Sequence, residues 1–99
     1  MQGVVTSAGS QYFARNSPPA AQDAACLALA RERKVHFVGK TNLTEFAVTV
    51  SGKNRFFGMP KNRWDGKHEY IPGGSSSGSA VAVATDRADV AFGTDTGGS

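Results

Sequence analysis

The sequence predicts an α/β arrangement, a mixed β-sheet flanked by helices, and three observations carry that expectation. Predicted elements alternate as helix, strand, helix, strand; the two short apolar runs are each closed by a glycine; and the glycine-rich loops fall where strands would end. Open sheets of this kind collect their chemistry at strand ends.

Residues 1 to 16 are polar and Gly/Ser-rich, with Tyr12 and Phe13 embedded, which reads as a loop packed onto something else. Ser17-Pro18-Pro19 places an N-cap residue before prolines suited to a first helical turn. Ala20, Ala24, Leu27 and Ala28 then recur at helical spacing, and the helix is expected from about 18 to 33. Asp23 near its start and Arg31, Arg33 and Lys34 at its end match the helix dipole. Val35-His36-Phe37-Val38, closed by Gly39, suits a buried strand in which His36 is structural. Thr41 to Ala47 suits a short helix capped by Thr41 or Asn42, with Glu45 in a weak capping-box position.

From Val50 to Tyr70 glycines, prolines and charges alternate with Phe56, Phe57, Met59 and Trp64. So long an irregular connection fits the surround of a site better than a linker. Gly78 to Ala84 fits helix or strand, and Asp89-Val90-Ala91-Phe92 fits a buried strand that runs into Gly93 and the terminal Thr94-Asp95-Thr96-Gly97-Gly98-Ser99.

Ninety-nine residues make one domain at most, and a chain this short buries only about two-thirds of its unfolded surface, so its independent stability is expected to be marginal. The net charge of +3 comes from eleven basic residues scattered without aromatic interleaving, which argues against direct nucleic-acid binding. Cys26 is the single cysteine, expected as buried filler in a helix; it allows no intrachain disulfide and favours a reducing, cytoplasmic setting. The start Met1-Gln2-Gly3-Val4-Val5-Thr6 has no signal-peptide character, and no window has transmembrane length, so neither export nor a membrane partner is expected.

Two loops carry the chemical information: Gly73-Gly74-Ser75-Ser76-Ser77-Gly78-Ser79-Ala80 and Gly93 to Ser99. Each sets hydroxyls beside glycines, whose backbones let successive N–H groups converge on a developing negative charge. A serine nucleophile also needs a base, histidine or a neutral lysine. His36 and His68 do not follow a serine motif in Ser-Asp-His order, and Tyr70-Ile71-Pro72 is a poor strand for the G-x-S-x-G elbow that Gly74 to Gly78 would otherwise satisfy. A phosphate loop would need Gly-Lys-Ser/Thr, which is absent after these glycines. Flexible turns without function are the bland alternative, less economical for two such loops than for one.

These loops resemble the core of the amidase signature family. Gly39-Lys40-Thr41-Asn42-Leu43-Thr44-Glu45-Phe46-Ala47 is similar to the family's G-K-T-N-x-x-E-F-A segment, and Phe57 to Asp65 to its F-G-x-x-x-N-P-W-D segment, with Arg63 where proline is common. Thr6-Ser7-Ala8-Gly9-Ser10 resembles a stretch near the front of the conserved core, so the whole chain is covered in order.

The resemblance implies a partial amidase-signature fold, with residues 1–99 a fragment of one domain truncated at both ends. It also implies a serine hydrolase that cleaves small-molecule carboxamides through a Ser-Ser-Lys triad without a cofactor or metal. By position, Ser99 resembles the nucleophile and Ser75 the bridging serine, which the family holds by an uncommon cis peptide bond, here Gly74-Ser75. The backbone N–H groups of Thr96, Gly97, Gly98 and Ser99 resemble the oxyanion hole, and Ser76 a supporting hydrogen-bond residue. The triad lysine would precede Met1, and Lys40 reads as a surface or packing lysine. The 99-residue chain is therefore expected to be inactive. The alternative is a non-catalytic remnant or interaction module whose glycine loops bind an anion. Neither the amide substrate nor partner subunits can be read from these residues.

Overall fold

Pro18 and Pro19 enter the fold as extended chain. The computed structural model, which describes residues 1–99, pairs Val5 with Pro19 in an antiparallel bridge. Gly3 N–H donates to the Ala20 carbonyl at 2.9 Å and Ala20 N–H to the Val4 carbonyl at 3.1 Å. A proline's missing donor is harmless at such an edge, and pairing with residues 3–5 keeps residues 18–20 from becoming the first helical turn. The expected helix at 18–33 is accordingly shorter.

Four helical pieces form: α1 at Gln11–Asn16, α2 at Ala25–Glu32, a 3-10 turn at Glu45–Ala47, and α3 at Ser77–Ala84. Asp23 lies ahead of α2 and clamps it from outside: its carboxylate accepts from Arg31 Nε at 2.8 Å and from Gln2 N–H at 2.7 Å. Hydrogen bonding from Arg31, then from the Gln2 backbone, holds the Asp23 carboxyl below its ordinary pKa. Arg31 also sits over the Phe37 ring at 4.9 Å.

α2 and α3 end alike. Val35 N–H reaches the Ala30 carbonyl and Lys34 N–H the Arg31 carbonyl; Arg87 N–H reaches Ala82 and Asp86 N–H reaches Val83. Both are Schellman motifs, in which the residue past the cap turns left-handed. Here Lys34 (φ 61°) and Asp86 (φ 55°) take that place, where glycine is usual.

Residues 35–38 and 89–92, expected as buried strands, carry no strand pairing, and His36 is exposed. A strand exists through its ladder, and neither segment has a partner; they meet only through the rings of Phe37 and Phe92, 6.4 Å apart. Thr41–Ala47 holds only the 3-10 turn, with Phe46 (φ 53°) and Ala47 (φ 57°) both left-handed. Cys26, expected inside, is exposed because α2 buries no residue.

The centre is polar. Every buried residue is glycine, serine, threonine or asparagine, and no apolar side chain is buried. Backbone contact draws these segments together. A Cβ on Gly78 would lie 2.4 Å from Asn42 N, and one on Gly52 (φ 80°) 2.6 Å from the Pro72 ring. Asn54 is a hub with all of its roles filled: its amide donates to the Gly9 and Leu43 carbonyls, and its oxygen accepts from Phe56 and Phe57 N–H. The segment from Val50 to Tyr70 ends in a hairpin closed by an Asn62–Tyr70 bridge and a 2.8 Å Lys61–Glu69 ion pair.

The apolar residues lie outside this centre. The chain exposes 7238 Å², whereas a compact monomer of its mass exposes about 5,400 Å². Its 35 backbone–backbone hydrogen bonds are about half the complement of a domain this long. No helix is long and apolar enough to cross a membrane.

Candidate active site

The site is assembled on the Thr44–Ala47 turn. Thr44 N–H donates to the Ser75 carbonyl at 3.0 Å, and Ser99 Oγ donates to the Ala47 carbonyl at 3.0 Å. Two serines 24 positions apart in sequence are thereby tied to one short segment. The turn is itself anchored: Thr44 is 1% exposed, its hydroxyl donates to the Thr49 carbonyl at 3.0 Å, and Phe46 N–H donates to the Ala8 carbonyl at 2.8 Å.

Ser75 follows a cis Gly74-Ser75 peptide bond, the geometry implied by the resemblance. Its side chain is 1% exposed, and its Oγ is the buried side-chain polar atom with no hydrogen-bond partner. Ser76 caps α3 without a side-chain hydrogen bond to it; its Oγ instead accepts from Thr94 N–H at 3.0 Å. The same helix end holds Ser77, whose Oγ lies 3.5 Å from the Asn42 carbonyl, and Ser79.

The terminal loop is folded by Asp95, whose carboxylate accepts from Gly98 N–H at 2.7 Å. The N–H groups of Thr96, Gly97 and Ser99 donate to nothing within the chain. Of the expected oxyanion donors, then, Gly98 is engaged and the others are free.

Sequence reasoning missed the Ala47 carbonyl and Asp95. The first is a backbone acceptor aimed by two consecutive left-handed residues, which no side-chain pattern announces. The second had a signal: an Asp three residues before a glycine is a familiar turn former. Beside the turn opens a cleft of about 730 Å³, walled by Thr44, Phe46, Val48 and Met59, with Lys53 and Arg55 also lining it.

Two ionisable groups invite comparison with the serines. Lys40 donates its ammonium to the Val5 carbonyl, in keeping with a packing lysine. His68 Nδ1 lies 2.6 Å from Asp65 Oδ2, to which Tyr70 also donates at 3.1 Å. The hydrogen bond from the His68 ring, followed by those from the backbone N–H groups of His68 and Lys67, holds Asp65 well below the usual carboxylate range. This imidazole–carboxylate pair has all its partners inside residues 65–70 and none at either serine. No group of His, Cys, Asp and Glu is arranged to hold a metal ion.

Comparison with known proteins adds a second line of observation. The Amidase family model matches residues 1–99. The chain is 48% identical over 99 residues to a glutamyl-tRNA(Gln) amidotransferase subunit of Syntrophobacter fumaroxidans, with all of this chain and 20% of that protein covered. It is 43% identical over 97 residues to the corresponding protein of Streptococcus thermophilus, covering 98% of this chain and 19% of that one. A solved structure, described as a vestigial protein complex revealing the evolutionary origins of an s-triazine catabolic enzyme, superimposes with a TM-score of 0.79 at 33% identity. It covers 88% of this chain and 18% of its own. The chain thus spans about a fifth of the length of the curated relatives it matches.

Proposed function

The chain belongs to the amidase family, and from that premise we propose that residues 1–99 supply the serine pair of an amide hydrolase, with Ser99 as nucleophile and Ser75 as proton relay. The observation that carries this reading is the Ser75 hydroxyl, buried and unpartnered in a residue whose carbonyl is held by the same turn that binds Ser99. A buried hydroxyl without a partner costs about 1–3 kcal/mol, and a relay serine between a nucleophile and a base is a role that would satisfy it.

In this mechanism Ser99 Oγ attacks the carboxamide carbon and passes its proton through Ser75 to a lysine. The tetrahedral oxyanion is received by the free N–H groups of Thr96, Gly97 and Ser99, with Gly98 held in the turn by Asp95. The same proton returns to the leaving ammonia or amine, and water then hydrolyses the acyl-serine. The substrate class is a small-molecule carboxamide, with no direct role for nucleic acid or membrane. None of the chain's five lysines hydrogen-bonds to either serine, so these 99 residues alone have no base for the pair and turn over amide negligibly. The unpaired thiol of Cys26 supports a reducing compartment, the cytoplasm. The α/β sheet belongs to the same proposal: residues 35–38 and 89–92 would take neighbouring strands from the rest of such a domain.

The test is hydrolysis of a simple aryl amide by residues 1–99 alone and by the same residues within a complete amidase chain, called the full-length protein below. Turnover confined to the full-length protein and abolished by Ser99→Ala is the expected result. Equal turnover by both forms, or full activity in Ser99→Ala, overturns the assignment.

A further inference from the structure

Ser79 sits between two oxygens. Its Oγ is 2.6 Å from the Phe92 carbonyl and 2.8 Å from Thr41 Oγ1, and the residue is 8% exposed. A carbonyl only accepts, so the one Ser79 proton must go to Phe92, and the Thr41 hydroxyl must then donate to Ser79 Oγ. The chain Thr41 O–H to Ser79 O–H to Phe92 C=O is therefore directional, and each link polarises the next. Two residues further on, Thr94 N–H donates to Ser76 Oγ at 3.0 Å. The carbonyl before Gly93 and the N–H after it are thus both held by side chains from the N-terminal end of α3. A Cβ on Gly93 would lie 3.3 Å from Ser76 Oγ, so the approach is close.

We infer that Thr41 and Ser79 are positioning residues for the nucleophile loop. The inference rests on the amidase reading for its catalytic consequence, though not for its geometry. Residues 92–94 have no strand partner and would otherwise be free backbone. The hydroxyl chain fixes the loop at its start, and the Ser99 hydroxyl fixes it at its end on the Ala47 carbonyl. Thr41 and Ala47 belong to one segment, residues 39–47, and Asn42 in it accepts from Gly78 N–H of α3 at 2.8 Å. The same stretch of chain therefore sets both ends of the loop that carries Ser99, and hence its register against Ser75. Thr41 acts through the Ser79 hydroxyl and Ser79 through the Phe92 carbonyl, so each positions the loop and neither is assigned a contact with substrate.

The experiment uses the full-length protein with Thr41→Val, Thr41→Ser, Ser79→Ala and the double variant Thr41→Val/Ser79→Ala. Valine keeps the shape of threonine without the donor, and serine keeps the donor. Thr41→Val and Ser79→Ala are expected to lower kcat about tenfold with KM unchanged. Thr41→Ser should stay near wild type, and the double variant should be no slower than Ser79→Ala, because the two hydroxyls form one chain. Amide hydrogen exchange over residues 92–99 should speed up in the same two single variants and not in Thr41→Ser. Unchanged exchange and unchanged kcat in both single variants overturn the inference, as does a double variant with multiplied losses. Should Ser79→Ala fail to fold, Thr41→Val decides by itself, since Thr41 is exposed and its replacement isosteric. Activity persisting in Ser99→Ala would defeat the amidase reading instead, and the exchange data would still decide whether the hydroxyl chain holds the loop.

Discussion

Ser75 and Asp65 are opposite cases of a polar group in this chain. Ser75 Oγ is buried without a partner, while the exposed Asp65 carboxylate accepts from two backbone N–H groups, the His68 ring and the Tyr70 hydroxyl. The first arrangement is unfavourable unless chemistry uses it; the second organises a loop. Because the folded-state pKa of Asp65 is depressed, its stabilisation is complete above the ordinary aspartate range, near pH 4, and is lost as pH falls below it. Trp64, the sole tryptophan, is 82% exposed and packs edge-on against Tyr70 at 6.0 Å, so it reports on this hairpin. Its fluorescence should show an acid transition below about pH 4. Asp65→Asn should shift the emission already at pH 7 and abolish that transition. An acid transition that survives in the variant would show that another group governs the loop.

At the level of elements, the helices were legible in part: residues 1–16, read as a loop, contain α1 at Gln11–Asn16. Residues 78–84, which fitted helix or strand, form α3 from Ser77, and α2 occupies the second half of the expected 18–33 helix. The first half of the expected 18–33 helix did not form, since Pro18 and Pro19 suit a helix start and an extended edge equally well, and contact with residues 3–5 decided between them. The ends themselves fall at or within one residue of their expected places, but their geometry was hidden, because Lys34 and Asp86 occupy left-handed positions that sequence reading reserves for glycine. An L side chain there costs about 1 kcal/mol. Lys34→Gly is accordingly expected to raise the stability of the full-length protein by about 0.5–1 kcal/mol, read as an upward shift of the urea midpoint at constant m. A lower midpoint would mean that the Lys34 side chain makes a contact worth more than the strain it carries.

Across the whole molecule, burial is inverted relative to an ordinary domain. Serine, threonine, glycine and asparagine are inside, while Val38, Val48, Val90, Phe46 and Trp64 are among the large apolar residues left exposed. Of the candidate site, the buried part lies in stretches whose motifs could be quoted from the sequence, namely Thr44, Ser75, Ser77 and Gly78, whereas Thr96, Gly97 and Gly98 are exposed. Residues 35–38 and 89–92, read as apolar strands, pair with nothing within these 99 residues, since composition marks a segment for burial without supplying the strand that would cover it. The link from sequence to chemistry therefore runs through one geometric fact: Ser75 and Ser99 are bound to a single turn. Its most direct test is rapid-quench mass spectrometry of the full-length protein with an acyl-amide substrate. The acyl group is expected on Ser99, absent in Ser99→Ala, and formed far more slowly in Ser75→Ala. An acyl adduct on any other residue, or an undiminished rate without the Ser75 hydroxyl, would contradict the serine pair.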